Sequence, residues 1–390
     1  MLNWCLQYEI INLRGMVAPE NQNRNQTNNA RIRLFTRLQH KNRKENTNMR
    51  VGVLTGGGDA PGLNAAVKAI VNRAHDYGYE VIGIKRGWAG LLEAESEPLD
   101  IRKVEDLSGE GGIMLYTSRT NPAKMPEGIE RCLANIKQIG LDALVAIGGD
   151  DTLGVAEKLY EAGARVVGVP KTIDNDLSVT DYSIGFLTAV SIATEAIDKL
   201  RTTARAHQRV FVVEVMGRYT GWIALYAGIA AGAHLVLIPE VPFDLKEVYT
   251  FLKKRKAANK VFSIIVVAEG AKPKEEDSLV IKKAEKDQFG HAQLGGIGQV
   301  LEKLIEQETG LETRSVVLGH LQRGGPPTAF DRFLASGLGV EAMELVKKQK
   351  WGYIPVVKGT EIVPVQLKKV VAKRKQVPLE LYEMAKTFFK

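Results

Sequence analysis

From position 49 onward, short runs of apolar, mostly β-branched residues alternate with longer stretches in which apolar side chains recur every three or four positions. The short runs predict strands, and the longer stretches predict amphipathic helices. The predicted strands cover 51–55, 81–84, 143–147, 166–169, 210–215, 235–238, 261–268 and 315–318. The predicted helices cover 63–74, 152–163, 185–205, 219–232, 244–258, 297–308 and 329–348.

This alternation predicts a doubly wound α/β protein with mostly parallel sheets, in which ligands bind at the carboxyl ends of the strands. The roughly 340 residues after position 48 exceed one comfortable hydrophobic core, so two such sheets are expected. One charge-dense stretch, 272–286, interrupts the pattern. We interpret it as a surface loop or an exposed hairpin insertion.

Residues 1–48 differ in composition, because amide side chains crowd segments such as 21–26 and no helical or strand period persists. Such a segment does not bury enough apolar area to offset its ordering entropy. We expect it to be disordered, or to be an extension upstream of a start at Met49. A nucleic-acid-binding arm is the competing interpretation, which the scattering of its basic residues among amides does not favour.

The formal charge of +8, from 53 basic and 45 acidic residues, by itself suggests a polyanionic partner. Residues 1–48 hold eight basic and three acidic side chains, so the remaining chain is nearly neutral and no nucleic acid is expected there. Two cysteines, Cys5 and Cys132, exclude a disulfide scaffold and predict a reducing compartment, the cytoplasm. No apolar run approaches the ~20 residues that span a bilayer, and the first residues lack the order of a secretory signal.

The first predicted strand leads into a glycine-rich turn, Thr55-Gly56-Gly57-Gly58-Asp59-Ala60-Pro61-Gly62. Glycines let backbone N–H groups approach a ligand, and the helix after the turn adds a favourable field for anions, so the turn suits a phosphate group. Its spacing matches neither the P-loop pattern nor the dinucleotide-binding pattern. A tight turn without a ligand is the alternative interpretation.

A second turn, Gly148-Gly149-Asp150-Asp151-Thr152, follows the strand predicted at 143–147. Adjacent carboxylates repel each other, so each is expected to serve a cation. Mg²⁺ that bridges phosphate oxygens is a natural partner for one of them, since this ion takes one or two carboxylates plus substrate oxygens. Helix capping by an aspartate is an equally good explanation.

The third turn, Pro170-Lys171-Thr172-Ile173-Asp174-Asn175-Asp176, follows the strand predicted at 166–169. A cation, a hydroxyl and two carboxylates on one loop at a strand's carboxyl end suit proton abstraction beside a phosphate. A purely structural loop is the weaker alternative.

Basic residues occur in four further short motifs. Each alone would be explained by a surface arginine in an ion pair, but four sets near strand ends predict a second anionic group, because the guanidinium fork matches phosphate oxygens. A histidine in the last motif is expected to bond to that phosphate or to pack. The motifs are His207-Gln208-Arg209, Met216-Gly217-Arg218, Thr313-Arg314 and His320-Leu321-Gln322-Arg323-Gly324-Gly325.

Together these motifs resemble the 6-phosphofructokinases, and the similarity runs from Met49 to about Met343. The resemblance implies two Rossmann-like domains with the active site in the cleft between them. It implies a phosphoryl-donor domain of 49–185 plus about 322–372, and a fructose 6-phosphate domain of 186–321 plus about 373–390. The motifs that carry it, in the family's order, are 52–64, 148–150, 172–176, 207–209, 214–218 and 318–325.

The resemblance further implies phosphorylation of the 1-hydroxyl of fructose 6-phosphate. Under it, Asp174 is the proton acceptor, Asp150 holds Mg²⁺, and Arg119 stabilises the transferring phosphoryl group. The donor would bind at Gly57 and Gly58. Residues implied to hold the sugar are Met216, Arg218 and Glu269, and those implied at its 6-phosphate are Arg209, Arg314, His320 and Arg323. Further residues implied to bind this substrate are Thr172, Ile173, Asp174, Gly217, Leu321 and Gln322.

Two positions bear on the phosphoryl donor. By the resemblance, ATP-dependent members usually carry glycine where this chain has Asp151 and Lys171. An aspartate at the first position opposes the α-phosphate of ATP by bulk and charge, and a lysine at the second can neutralise a compact donor. The pair resembles the pyrophosphate-dependent branch of the family, which implies a reversible reaction with inorganic pyrophosphate.

In the family, Arg209 and Arg314 would reach in from a neighbouring subunit, so the resemblance implies a homo-oligomer, a dimer or a tetramer. An ATP-dependent sugar kinase is the alternative within the same chemistry. A non-catalytic sugar-phosphate-binding protein is the alternative from another class. Against that last reading, a pure binder would have no need of Asp174, Asp150 and Arg119 together.

Overall fold

The computed structural model describes residues 49–274 and 296–390. The predictions for residues 1–48, and for 275–286 of the charged stretch, lie outside these ranges. The elements are β1 (Arg50–Thr55), α1 (Leu63–Tyr77), β2 (Glu80–Ile84), α2 (Trp88–Leu92), β3 (Ser96–Leu99), α3 (Ile101–Val104), α4 (Gly128–Ile139), β4 (Ala143–Gly148), α5 (Asp150–Glu161), β5 (Val166–Pro170), α6 (Phe186–His207), β6 (Val210–Val215), α7 (Trp222–Ala230), β7 (Leu235–Leu237), α8 (Leu245–Ala257), β8 (Ser263–Ala268), α9 (Ile297–Thr309), β9 (Thr313–Val317), α10 (Ala329–Lys347), β10 (Tyr353–Lys358), β11 (Glu361–Gln366), α11 (Leu367–Val371) and α12 (Leu379–Lys386).

Two sheets organise these elements, as the sequence predicts. The larger has seven strands in the order β11-β10-β5-β4-β1-β2-β3. Its central strands are parallel, with Val51 facing Val81 on one side and Ala143 on the other. Only the two edge strands of this sheet, β3 and β11, run antiparallel to their neighbours. The prediction of a doubly wound, mostly parallel fold is confirmed.

The smaller sheet has four parallel strands in the order β7-β8-β6-β9. It comes from the middle of the chain, between positions 210 and 317. The C-terminal helix α12 packs near it, because the Tyr382 hydroxyl donates a hydrogen bond to the Val236 carbonyl at 2.8 Å. The division of the chain into two domains at the predicted boundaries stays a prediction.

The apolar stripe predicted after the first strand is buried in the structure. Helix α1 buries Leu63, Val67, Ile70 and Val71, and each such side chain contributes ~1.5–3 kcal/mol relative to exposure. The stripe fixes the direction of α1 relative to β1. It thereby fixes the direction of the glycine-rich turn that joins the two elements.

Several predicted boundaries are wrong by two or three residues. The strand predicted at 261–268 begins only at Ser263, since Val261 is exposed. The strand predicted at 315–318 is β9 and begins at Thr313, and Leu318 leads into a 3₁₀ turn, Gly319–Arg323. The helix predicted at 219–232 begins at Trp222, because the preceding residues form a loop beside the site described below.

The sequence pattern missed eight of the described elements: α2, β3, α3, α4, β10, β11, α11 and α12. In the hairpin of β10 and β11, Pro355 faces Pro364 across the pair. Proline does not donate to a strand ladder, so these two residues disguise the strand pattern. The edge strand β3 is short and contains Glu97 and Pro98, which are also poor strand formers.

The fold brings the carboxyl ends of β1, β4 and β5 to one edge of the large sheet, since these strands are adjacent and parallel. The turns singled out from the sequence therefore converge there. Within residues 49–274 and 296–390, no helix has the length and apolar character needed to cross a bilayer.

Candidate active site

An open cavity of about 110 Å³ lies where these turns converge. It also receives residues that follow β6 and β9 of the small sheet, so its walls come from loops of both sheets. The lining residues are Gly57, Gly58, Arg119, Gly149, Asp150, Asp151, Thr152, Lys171, Thr172, Asp174, Arg218 and Arg323.

The glycine-rich turn forms one wall. Gly57 has a positive φ of 78° and is held from both sides, because its N–H donates to the Ser118 carbonyl and its carbonyl accepts from the Thr117 hydroxyl at 2.6 Å. A Cβ at Gly58 would lie 2.6 Å from Nη1 of Arg323. A side chain at position 58 would therefore displace this guanidinium from its packing against the turn.

Lys171 lies beneath the same turn and is almost fully buried, at 3% exposure. Its ammonium donates hydrogen bonds to the carbonyls of Gly56, at 2.9 Å, and Gly58, at 2.5 Å. Burial, together with the positive charge of Arg323, lowers the pKa of Lys171 to about 7. The glycine turn and the third turn are thus joined through one cation.

The second turn presents its two carboxylates at the start of helix α5. Gly149 occupies the N-cap position without a side-chain cap, and Oδ1 of Asp150 accepts the N–H of Asp151 at 2.9 Å. Asp150 therefore does not occupy the N-cap position, and its contact of this kind is the bond to the N–H of Asp151. Its second carboxylate oxygen is left for other partners. Both Asp150 and Asp151 line the cavity and are half-buried.

The loop that carries Asp174 is braced from within. Asn175 adopts a left-handed conformation with φ 51°, and its side-chain oxygen accepts the Ser183 N–H at 3.1 Å. The Ser183 hydroxyl donates to the Thr172 carbonyl at 2.6 Å, and the Asp174 N–H donates to the Thr172 hydroxyl at 3.1 Å. These bonds fix the backbone on both sides of the Asp174 carboxylate.

The carboxylates of this region shift one another's pKa values. Burial raises the pKa of Asp174, while the positive charges of Arg323 and Arg218 oppose that rise. Burial and the negative charge of Asp174 together raise the pKa of Asp176 to about 7, and they do the same for Glu269. Because its pKa is raised, the Asp174 carboxylate is a stronger proton acceptor than an exposed aspartate.

The loop after β6 enters the site from the small sheet. Arg218 lines the cavity, and Glu269 follows β8 next to it, with its N–H on the Val215 carbonyl. Buried Gln322 braces this loop, since its side-chain oxygen accepts the Met216 N–H at 3.3 Å. Arg323 donates to the Asp59 carbonyl at 2.8 Å, so it joins the small-sheet side to the glycine turn.

The other residues of the predicted phosphate clamp lie outside this cavity. Arg209 and Arg314 sit at the start of β6 and β9, the amino ends of these strands, and both contact Glu312, at 2.6 and 2.8 Å. His320 and Leu321 are exposed on the 3₁₀ turn. None of these four residues is part of the cavity lining.

Two contributors were missed by sequence reasoning. The Thr152 side chain packs so closely that a Cβ at Gly56 or at Gly148 would lie within 3 Å of it. The second is Arg374, whose guanidinium lies 3.0 Å from Oδ2 of Asp150 and 3.8 Å from Oδ2 of Asp176. The position of Thr152 in the second turn could have indicated that it lies at the site. Nothing in the sequence indicates the contact between Arg374 and Asp150, because the two residues are 224 positions apart.

The donor groups of the cavity fit a hard divalent cation that shares its ligands with a substrate. Across the residues that the structure describes, no three His, Cys, Asp or Glu side chains converge into a complete metal site. Asp150 nevertheless turns a carboxylate toward the same cavity as Lys171 and the glycine turn. One carboxylate plus phosphate oxygens is the ligand set that Mg²⁺ commonly takes.

Comparisons with known proteins agree with this geometry. A family model described as "Phosphofructokinase" matches residues 50–346. A "Pyrophosphate--fructose 6-phosphate 1-phosphotransferase" from Amycolatopsis methanolica is 53% identical over 343 residues, covering 87% of this chain and 100% of that protein. An "ATP-dependent 6-phosphofructokinase 3" from Streptomyces coelicolor is 48% identical over 338 residues, covering 86% of this chain and 99% of that protein. The crystal structure of Pichia pastoris phosphofructokinase in the T-state matches with a TM-score of 0.72 at 32% identity over 83% of this chain, which spans only 35% of that longer chain.

Proposed function

This chain belongs to the phosphofructokinase family, and from that premise we propose that it transfers a phosphoryl group reversibly from inorganic pyrophosphate to the 1-hydroxyl of fructose 6-phosphate. The products are fructose 1,6-bisphosphate and phosphate. The 53% identity to a full-length relative named for this reaction supports the proposal. So does the convergence of a phosphate turn, a cation and a braced carboxylate in one cavity.

In the proposed reaction, Asp174 takes the proton of the sugar 1-hydroxyl. A P–O bond forms between that oxygen and the transferred phosphorus, the bridging P–O bond of pyrophosphate breaks, and its electron pair leaves with inorganic phosphate. The bonds around Thr172 and Asn175 support this role, because they hold the Asp174 backbone rigid. Arg119 faces the same cavity and stabilises charge on the transferring group.

Asp150 would hold Mg²⁺, which neutralises phosphate charge when bound. Gly57 and Gly58 supply the backbone that faces the donor. Thr172 lies beside the proton acceptor, and its hydroxyl already receives the Asp174 N–H.

The single observation that carries the donor assignment is Lys171 under the glycine turn, in the same cavity as Asp151. The lysine places positive charge where a compact, highly charged donor binds. Asp151 places negative charge and bulk on the adjoining wall, which penalises a longer polyphosphate. Both effects favour pyrophosphate over a nucleotide.

On the sugar side, we propose that Met216, Gly217, Arg218 and Glu269 contact fructose 6-phosphate. Arg209 and Arg314 complete the 6-phosphate clamp of a neighbouring subunit, with His320 and Arg323 of the receiving chain. The position of both arginines outside the cavity of their own chain supports this sharing. The enzyme is therefore proposed to be a homo-oligomer, and the expected compartment is the cytoplasm.

Steady-state assays with each donor test the proposal. We expect kcat/KM for pyrophosphate to exceed that for ATP by at least about a hundredfold, which corresponds to ~2.7 kcal/mol of discrimination. A value for ATP equal to or above that for pyrophosphate would contradict the donor assignment. The double variant Asp151→Gly with Lys171→Gly is expected to gain ATP use, and Lys158→Gln on the exposed side of α5 is the matched control.

An ATP-dependent reaction is the second candidate, and one observation favours it. Relatives named for either donor match this chain at similar identity, 53% and 48%, over nearly the same length. Overall similarity therefore separates the two donors less sharply than the two positions in the cavity do. The donor assay decides between them directly.

A further inference from the structure

A short C-terminal segment, residues 374–377, crosses from the large-sheet side of the site to the small-sheet side; we call it the C-terminal strap. The N–H of Lys375 donates to the Asp176 carbonyl at 2.7 Å, and its ammonium donates to the carbonyls of Thr180 and Asp181. The strap is thus fastened to the loop that carries the proposed proton acceptor.

The other end of the strap is fastened to the small-sheet side. The Trp222 indole N–H donates to the Lys375 carbonyl at 2.9 Å, and the Val377 N–H donates to a carboxylate oxygen of Glu240 at 3.0 Å. Glu240 also accepts the Gly221 N–H at the start of α7. Backbone and side-chain bonds therefore fix the strap at several points.

Arg374 is the strap residue whose side chain contacts both Asp150 and Asp176. Its guanidinium donates to Oδ2 of Asp150 at 3.0 Å and lies 3.8 Å from Oδ2 of Asp176. The guanidinium carbon stacks 4.1 Å from the centre of the Tyr219 ring. Tyr219 follows Arg218, so a single side chain joins the metal-side carboxylate, a second carboxylate and the sugar-side loop.

An ordinary surface ion pair contributes little, because long side chains lose entropy and water screens the charges. Arg374 differs in two ways. Its backbone is already fixed by the strap, and its planar group is held by three partners at once. Burial and the negative charges of Asp174 and Asp150 raise the pKa of Asp176, and the positive charge of Arg374 opposes that rise.

We propose that Arg374 is a positioning residue that serves as the built-in counter-charge of Asp150 and Asp176 while no substrate is bound. It orients the Asp150 carboxylate and prevents the empty acidic site from capturing a divalent cation before the phosphoryl donor arrives. The inference rests on the proposed role of Asp150, but it holds for either donor.

The test is a titration of the substrate-free, full-length protein with Mn²⁺ at fixed ionic strength. Electron paramagnetic resonance measures the concentration of free Mn²⁺ at each point of the titration. Arg374→Gln removes the charge, and Arg374→Lys keeps it. Lys358→Gln is the matched control, because it removes another half-exposed ion pair, with Asp181 at 3.3 Å, next to the same strap but outside the cavity.

We expect Arg374→Gln to bind Mn²⁺ about fivefold or more tightly than the unaltered protein, since one unit charge about 4 Å away is worth ~1 kcal/mol even in water. Arg374→Lys and Lys358→Gln should stay within about twofold. Thermal melting verifies that each variant is folded. A purely structural role would lower the melting temperature of Arg374→Gln without raising its Mn²⁺ affinity.

No gain in Mn²⁺ affinity in folded Arg374→Gln, whether binding is unchanged, weaker or absent, overturns the inference. An equal gain in the Lys358→Gln control overturns it too, because the effect would then be one of net charge. The titration contains neither sugar nor phosphoryl donor, so its outcome is separate from that of the donor assay. Failure of one proposal is thus distinguishable from failure of the other.

Discussion

The donor side and the phosphate-clamp side of this protein are built differently. On the donor side, Lys171 and Asp150 are both held by contacts within the chain and meet in one cavity. On the clamp side, Arg209 and Arg314 pair with Glu312 at the amino ends of their strands, outside that cavity. Under the proposed function, donor selectivity would be a property of a single chain, whereas recognition of the sugar phosphate would depend on assembly.

The largest effect is expected from Asp174→Asn, which breaks the donor side alone. Loss of a general base of this kind lowers kcat by roughly 10²–10⁴-fold. Binding of fructose 6-phosphate should persist, because the amide keeps the size of the side chain and the clamp is untouched. Isothermal titration with the sugar phosphate, beside steady-state kinetics, checks both halves of the prediction.

A parallel loss of sugar binding in Asp174→Asn would contradict the separation of the two sides. Wild-type kcat in that variant would remove Asp174 from the mechanism. The matched control is Asp198→Asn on helix α6, an exposed aspartate outside the cavity.

An intermediate effect is expected from Arg314→Ala. The loss of a charge-assisted hydrogen bond to a phosphate is worth ~1.5–3 kcal/mol, so KM for fructose 6-phosphate should rise about 10- to 100-fold. The KM for the phosphoryl donor should hardly change. Steady-state kinetics with each substrate varied in turn measure this split.

The comparison is sharpened by mixing Arg314→Ala chains with Asp174→Asn chains after dissociation and reassembly. If the arginine acts in a neighbouring subunit, some mixed sites contain both an intact Arg314 and an intact Asp174. At fructose 6-phosphate concentrations well below the raised KM of Arg314→Ala, activity should then exceed that of either variant alone. If assemblies that contain both variants show no recovery of activity, Arg314 acts in its own chain and the proposed sharing of the clamp is wrong.

The smallest effect is a pH dependence of the donor side. Burial lowers the pKa of Lys171 to about 7, so the ammonium is charged below that pH and loses its charge as the pH rises. The charged fraction of a lysine with this pKa falls from about three quarters at pH 6.5 to about one quarter at pH 7.5, so kcat/KM for pyrophosphate should fall roughly threefold over that range. In Lys171→Arg this decline should disappear, because the guanidinium stays charged. The same decline in both proteins would assign it to pyrophosphate itself.

Much of the fold followed from the sequence because buried parallel strands produce apolar runs that are hard to mistake. The strands β1, β4 and β5 and the three turns after them were all anticipated, since each turn follows directly from a strand end. The hairpin of β10 and β11 was not, because Pro355 and Pro364 carry the opposite local signal. Only pairing between the two strands reveals it.

The site was anticipated unevenly for a related reason. Residues within one turn, such as Asp150 and Asp151, are expected to lie close together because they are close in the sequence. Arg374 has no such signal, since its contact with Asp150 exists only after the strap has folded across the chain. The position of Arg209 and Arg314 on a shared Glu312 likewise depends on the register of β6 against β9.

The two hydrogen bonds from Lys171 to the carbonyls of Gly56 and Gly58 have a consequence for how this protein can evolve. A change of this lysine to glycine would alter donor preference and would also leave two backbone acceptors without their donor. Selection for a new donor would then pass through variants with a loosened glycine turn. Lineages that make this change are expected to acquire compensating residues around Thr117 or Thr152, which brace the same turn.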